Sequence, residues 1–168
     1  MGFQRQIPGG PFLNEVGSAQ RQIPGGPFVN ETFVAWQYAR PSSDIATGGW
    51  TSSLGGALYA ALDEASADDA DYIYSPNDPV AQQFEVQLSS VTDPAVSTGH
   101  TISIRLKAVN ADTNFDLNLV QGTTVLDSWT ENVTAAAGLV TRTRTLTGTV
   151  ADSITQYGDL RIRGIARA

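Results

Sequence analysis

The sequence is poor in reactive side chains. Its 168 residues include no cysteine, one histidine (His100) and one lysine (Lys107). Without cysteine, disulfide bonds, thiolate nucleophiles and cysteine-ligated zinc are excluded. A lone lysine within a strand pattern excludes a phosphate-binding glycine-rich loop. His100 is the only imidazole for a catalytic triad or a histidine metal site, and we interpret it as a loop residue in a Ser-Thr-Gly-His segment.

Basic residues and long apolar runs are scarce as well. Ten Lys and Arg stand against seventeen Asp and Glu, which gives a formal net charge of -7. No run of basic residues offers a patch for phosphate backbones, so we do not expect nucleic acid as a partner. No apolar run reaches the roughly 20 residues that cross a bilayer. The first residues also lack a secretion-signal pattern, so we expect a soluble, non-secreted protein with no membrane partner.

The residues that are present are typical of strands and turns. Only 16% of them are charged, against about 25% in ordinary globular domains. Apolar and polar residues alternate over Phe84–Leu88, Ile102–Leu106 and Phe115–Leu119, which predicts half-buried antiparallel strands. Three further elements are predicted: a hairpin turn at Gln121-Gly122, an edge strand at Thr141–Thr147, and a closing strand at Leu160–Ile162 with Arg161 and Arg163 toward solvent.

These elements predict an all-β fold. We expect an antiparallel β-sandwich of the jelly-roll or Greek-key type over residues 42–168. Two segments have a helical pattern, Leu58–Glu64 and Val150–Gln156, and both are too short to be stable without packing. Tyr157 precedes the closing strand, where its hydroxyl would pin the preceding turn to the backbone as a tyrosine corner.

The most specific signal is a tandem repeat near the N-terminus. Residues 5–15 read RQIPGGPFLNE and residues 21–31 read RQIPGGPFVNE, so ten of eleven positions are identical at a spacing of sixteen. Two prolines around a Gly-Gly pair exclude a helix and predict a turn at Pro-Gly-Gly-Pro. We therefore expect residues 1–41 to form an extended N-terminal arm that carries both copies.

Each copy carries large apolar side chains that a short segment cannot bury within itself. Three interpretations are open: the arm packs along its own domain, each copy docks into a groove on another chain, or the arm is a disordered linker, which its apolar content disfavours. Docking of two identical copies predicts two equivalent sites, as a symmetric assembly supplies. Sixteen residues span at most about 53–58 Å, so these sites would lie on the same or adjoining subunits.

The tryptophans and the acidic residues also have competing interpretations. Trp129 lies in a strand pattern and is expected in the core, whereas Trp36 either anchors the arm or contacts a partner. Trp50 is a core residue or a sugar-stacking platform.

The acidic residues of segment 63–78 are solvated loop charges, a calcium site without EF-hand spacing, or a glycosidase pair. We interpret them as solvated charges and predict no metal, no cofactor and no enzymatic activity.

Several parts of the sequence resemble structural proteins of tailed-bacteriophage particles. They are the tandem repeat, the segment Asp71–Pro76, the segment Asp93–His100 and the ending Tyr157–Arg163. The resemblance implies a virion component that is assembled in the bacterial cytoplasm, with capsid decoration or cementing as the leading role. A neck or tail fibre protein held by the same arm is the first alternative. A carbohydrate-binding module for host adhesion is the second.

The expected function depends on contacts made by the arm. The expected partner is another virion protein, the major capsid protein in the decoration role. We also expect a homo-oligomer, with a trimer as first choice because shell proteins often bind at threefold positions. Apolar side chains would fill clefts between subunits, while Arg and Glu of each copy set the register through charged hydrogen bonds. The candidate partner-binding residues are Arg5, Ile7, Pro8, Phe12, Leu13, Glu15, Arg21, Ile23, Pro24, Phe28, Val29, Glu31 and Trp36.

Overall fold

The computed structural model describes residues 36–167 and, by their backbone, residues 18–22 and 28–32. The chain divides into two units, Met1–Tyr38 and Ala39–Ala168. We call the second unit the β domain.

Antiparallel strands are the main regular structure of the described chain. In the first unit, β1 (Ser18–Gln22) pairs with β2 (Phe28–Thr32). The β domain contains β3 (Pro41–Ala46), β4 (Thr51–Ser52), β5 (Ile73–Tyr74), β6 (Val80–Leu88), β7 (Thr101–Leu106), β8 (Thr113–Gln121), β9 (Thr124–Val133), β10 (Val140–Thr145) and β11 (Leu160–Arg167). Its helical elements are α1 (Gly148–Ser153) and 3-10 turns at Tyr59–Ala61, Ala135–Ala137 and Tyr157–Asp159. The predicted all-β class is confirmed.

Five strands form the main sheet, in the order β3-β6-β11-β8-β9, and every neighbouring pair is antiparallel. The central strand is β11, on which Ile162 pairs with Val86 of β6 and with Leu119 of β8. β7 and β10 form a second sheet, and β4 and β5 form a third. The turn from β8 to β9 contains Gly122, whose φ of 59° is the left-handed conformation that glycine adopts readily. The hairpin predicted at this position is confirmed.

Alternation along the strands places apolar side chains on one face of the main sheet. The larger core cluster there contains Leu58, Phe84, Val86, Phe115, Leu117 and Ala166, and a second contains Leu119, Leu146, Ile154 and Leu160. Ile104 and Leu106 of β7 pack against the first cluster, and Ile102 packs against the second. Side chains of β7 therefore pack on this face of the main sheet. The predicted β-sandwich, of the jelly-roll or Greek-key type, stays a prediction.

Aromatic rings pack together at the larger cluster. The Trp50 ring lies edge-on to Phe84 and Phe115, with centroid distances of 4.9 and 5.8 Å. Its indole N–H donates a hydrogen bond to the Gln82 carbonyl at 3.1 Å. Trp50 is therefore partly buried against the core, and its alternative interpretation as a sugar-stacking platform stays untested. Trp129 packs against the same cluster, as predicted.

Ion pairs join β9 to β10 beside the core. Arg144 Nε lies 3.0 Å from the Asp127 carboxylate, and Arg142 Nε lies 3.2 Å from that of Glu131. The Arg144 guanidinium also lies 5.7 Å from the centre of the Trp129 ring, within cation–π range. β10 is an edge strand, as predicted, but its arginines are half-buried and paired while the intervening threonines are exposed.

The two predicted helical segments have different outcomes. The segment Val150–Gln156 overlaps α1, which begins two residues earlier because Thr147 caps it by accepting a hydrogen bond from the Val150 N–H. The segment Leu58–Glu64 contains only a 3-10 turn. The Asp44 carboxylate accepts hydrogen bonds from the N–H groups of Leu58 and Tyr59, both at 2.8 Å, and so holds this turn against β3.

Candidate functional site

The N-terminal repeat is the candidate site, and its second copy contributes to a β-hairpin. β1 and β2 are antiparallel, with Arg21 opposite Val29 and Gln22 opposite Phe28. These pairs belong to one repeat copy, so the chain reverses direction within that copy. The turn predicted at Pro-Gly-Gly-Pro lies outside the described residues. Residues 18–22 and 28–32 form a two-stranded ribbon, where an extended arm was expected.

The structure describes five of the thirteen candidate partner-binding residues. Arg21 lies on β1, and Phe28, Val29 and Glu31 lie on β2, where Glu31 is opposite Ala19. Trp36 follows the hairpin. The other eight, Arg5, Ile7, Pro8, Phe12, Leu13, Glu15, Ile23 and Pro24, lie outside the described residues.

Two exposed aromatic side chains lie between the hairpin and β3. The exposed fraction is 71% for both Trp36 and Tyr38. The chain then enters the main sheet at Arg40, whose N–H donates to Ser89 Oγ at 3.0 Å and whose carbonyl accepts from the Ser89 N–H at 2.6 Å. Exposure of Trp36 is compatible with its predicted partner contact, which stays a prediction.

The other face of the main sheet carries a buried carboxylate between two arginines. Glu85 on β6 accepts hydrogen bonds from Arg163 Nε at 2.8 Å and from Arg161 Nη1 at 3.3 Å. Arg161 also contacts the Asp159 carboxylate at 3.2 Å. Arg161 and Arg163 lie on the face away from the core, as predicted, but only 21% and 24% of their side chains is exposed, because they close over Glu85.

A second polar cluster on this face lowers the pKa of Asp116. The Thr130 hydroxyl donates to Asp116 Oδ1 at 2.7 Å, and Arg167 Nε donates to Oδ2 at 2.8 Å. Because both interactions favour the charged carboxylate, they hold the pKa of Asp116 below its ordinary value. The cluster ties β8 to both of its neighbours, β9 and β11.

The only histidine is paired with the tyrosine that precedes β11. His100 Nε2 lies 2.8 Å from the Tyr157 hydroxyl. Tyr157 therefore contacts a distant side chain, and not the backbone of the preceding turn as a tyrosine corner would. Burial raises the pKa of Tyr157, and the negative charges of Asp93 and Asp152 raise it further. The contact fastens the start of β7 to the start of β11.

The acidic stretch after the 3-10 turn is partly fixed to the domain. Asp69 accepts hydrogen bonds from Arg105 Nε at 2.6 Å and from Nη2 at 2.7 Å, so it is ion-paired and not simply solvated. Nowhere in the described residues do three His, Asp or Glu side chains come close enough to hold a metal ion. No helix among the same residues is long and apolar enough to cross a membrane.

Sequence reasoning missed an exposed pair of tyrosines. The rings of Tyr72 and Tyr74 lie side by side with centroids 6.1 Å apart. Ile73 between them packs against the larger core cluster. The aromatic-apolar-aromatic spacing was the available signal, because alternation on a strand places residues 72 and 74 on the same side.

Comparison of the chain with family models, curated proteins and solved structures finds no match.

Proposed function

We propose that the protein is a structural component of a tailed-bacteriophage particle. In this proposal it is a capsid decoration or cement protein, and the N-terminal repeat attaches its β domain to the shell. The observation that carries the proposal is the tandem repeat, which is almost identical in its two copies. Two equal copies suit two equal binding sites, and a symmetric shell of repeated subunits supplies such sites.

The hairpin provides a physical reason for a partner. An isolated two-stranded ribbon is at best marginally stable in water, so β1 and β2 gain stability when another surface covers them or pairs with them. Apolar residues recur in both copies and would be buried in the same contact. Because one chain carries both copies, binding of the second is effectively intramolecular, and avidity exceeds single-site affinity by roughly 10² to 10⁴.

The β domain supports a role that resists mechanical load. Its strands are joined by paired charges on both sides of the main sheet: Glu85 with two arginines on one, and the β9–β10 ion pairs on the other. Attachment at two sites together with a rigid domain would reinforce a shell against outward pressure from packaged genome.

A neck or tail position uses the same attachment but differs in copy number, since a head decoration is present in hundreds of copies per particle.

The proposal is tested by removing the arm. A chain that lacks residues 1–35 keeps every core residue of the β domain and should fold, which circular dichroism and thermal unfolding can verify. We expect it to lose binding to particles that lack this protein, measured by cosedimentation beside the full chain. Undiminished binding by the folded, truncated chain would overturn the proposal. Quantitative mass spectrometry of native particles then gives the copy number and separates head from neck or tail.

A further inference from the structure

The exposed tyrosine pair has a fixed orientation on the β domain. Tyr72 and Tyr74 are 51% and 49% exposed, with their rings inclined at 52°. Ile73 is anchored in the larger core cluster, and β5 pairs with β4 through Ser52 opposite Ile73 and Thr51 opposite Tyr74. The backbone therefore holds both rings on the outer side. We call Tyr72 and Tyr74 the tyrosine surface.

The chain on the N-terminal side of the tyrosine surface is also held in place. Tyr72 exchanges two hydrogen bonds with Ser53: its carbonyl accepts from the Ser53 N–H at 2.8 Å, and its N–H donates to Ser53 Oγ at 3.0 Å. Three residues earlier, Asp69 is clamped by Arg105. A surface that is already ordered loses little conformational entropy when it binds a ligand.

Along the chain, the charged residues nearest to the tyrosine surface are all acidic. Residues 41–104 contain nine Asp or Glu and no Lys or Arg. Asp69 and Glu85 have arginine partners. Four other acids flank the tyrosines along the chain: Asp63, Asp68, Asp71 and Asp78. Among the described residues, no cation lies within ion-pair distance of any of them. A ligand that complements this surface is therefore positively charged.

We propose that the tyrosine surface docks a basic segment of a partner protein, with an arginine or lysine side chain lying against the faces of Tyr72 and Tyr74. Aromatic faces attract cations, and arginine stacks on them most often. The carboxylates that flank the tyrosines along the chain would steer a basic partner toward the site and discriminate against neutral or acidic ones. This contact lies on the β domain and is additional to the attachment through the N-terminal repeat.

The test uses the full chain and a fluorescent eight-residue peptide of alternating arginine and glycine. Fluorescence anisotropy measures its affinity for the unmodified chain and for the double variant Tyr72→Leu, Tyr74→Leu. We expect the double variant to bind about tenfold more weakly, because leucine keeps an apolar side chain but has no aromatic face. The double variant Tyr72→Phe, Tyr74→Phe should bind like the unmodified chain. Tyr38→Leu, the same substitution at another exposed tyrosine, should also leave binding unchanged.

Three outcomes would overturn the proposal. One is equal affinity of the leucine variant and the unmodified chain, with thermal unfolding showing that the variant is folded. Another is equal binding of a peptide with glutamine in place of arginine, because the site would then not recognise charge. The third is that the unmodified chain binds neutral oligosaccharides but not the arginine peptide, and that the leucine variant loses this binding. If the leucine variant does not fold, two other measurements decide. Equal binding of the glutamine peptide contradicts a cationic ligand. Unchanged affinity of the arginine peptide for the double variant Asp68→Asn, Asp71→Asn contradicts it as well.

Discussion

The carboxylate of Glu85 accepts a hydrogen bond from Arg163 Nε at 2.8 Å, between two strands whose residues are 78 positions apart in the sequence. In the register of β6 and β11 the two residues are direct partners. Their side chains therefore meet on the same face of the sheet, where like or unpaired charges would destabilise it. Glu85 is buried while Arg163 reaches solvent, so the pair is only partly withdrawn from water.

Removing the charge of Glu85 should destabilise the β domain. In Glu85→Gln two half-buried guanidiniums lose their carboxylate, and we expect the free energy of unfolding to fall by about 2 kcal/mol. This is less than the roughly 3–5 kcal/mol of a fully buried pair, because both arginines reach solvent. Urea denaturation measures the change. Asp69→Asn is the control, since its more exposed pair with Arg105 should contribute less than about 1 kcal/mol; equal losses in the two variants would contradict the assignment.

Gly164 should not tolerate a side chain. A Cβ at this position would lie 2.4 Å from a ring atom of Phe84 and 2.7 Å from one of Phe115. Gly164→Ala therefore forces the aromatic cluster apart, and we expect a loss of about 1–3 kcal/mol in the free energy of unfolding. Gly56→Ala is the matched control, because a Cβ there meets no atom within 4 Å. A melting temperature that is unchanged in Gly164→Ala would show that the cluster packs differently.

The Asp116 carboxylate should make stability depend on acid pH. Its pKa is lowered in the folded state, by the Thr130 hydroxyl first and by Arg167 second. The unfolded chain therefore binds this proton more readily, and the stabilisation is present above the ordinary carboxyl pKa of about 3.9 and lost as the pH falls below it. The stability difference between the unmodified chain and Asp116→Asn should be largest near pH 6 and shrink toward pH 3. A difference that does not vary with pH contradicts this mechanism.

The two repeat copies should contribute equally to binding. We expect Phe12→Ala and Phe28→Ala each to weaken particle binding to a similar degree, because either change leaves one intact copy. Each single variant should therefore lose the avidity gain of roughly 10² to 10⁴, and the double variant should also lose the remaining single-site binding. Cosedimentation over a range of protein concentrations measures all three affinities. A variant of one copy that binds like the unmodified chain would contradict two equivalent sites.

The sequence predicts the regular strands of the β domain well because their signal is local. Apolar and polar residues alternate over Phe84–Leu88 and Ile102–Leu106, which indicates that one face of each strand is apolar. Gly122 indicates a tight turn. The pairing of Glu85 with Arg163 is not local: antiparallel partners in the main sheet come from distant segments, and no spacing in the sequence reveals them. For the same reason the sequence did not indicate that Arg161 and Arg163 close over Glu85.

The missed strands of the β domain are β3, whose sequence PSSDIA shows no apolar alternation, and the two short strands β4 and β5. β4 and β5 have two residues each, too few for a period to be recognised, yet they position Tyr72 and Tyr74. In the repeat, proline and glycine predict the turn, but they do not reveal that Arg21 and Val29 on either side of it pair as strands. The partner proposed for the repeat is not encoded locally either, because its recognition surface would belong to another molecule.

The most direct measurement is a cryo-electron microscopy map of particles that carry the protein. It should place both repeat copies in equivalent clefts of a neighbouring chain, with the β domain outside the shell. A map in which both copies lie against their own β domain and touch no other molecule would contradict attachment through the repeat.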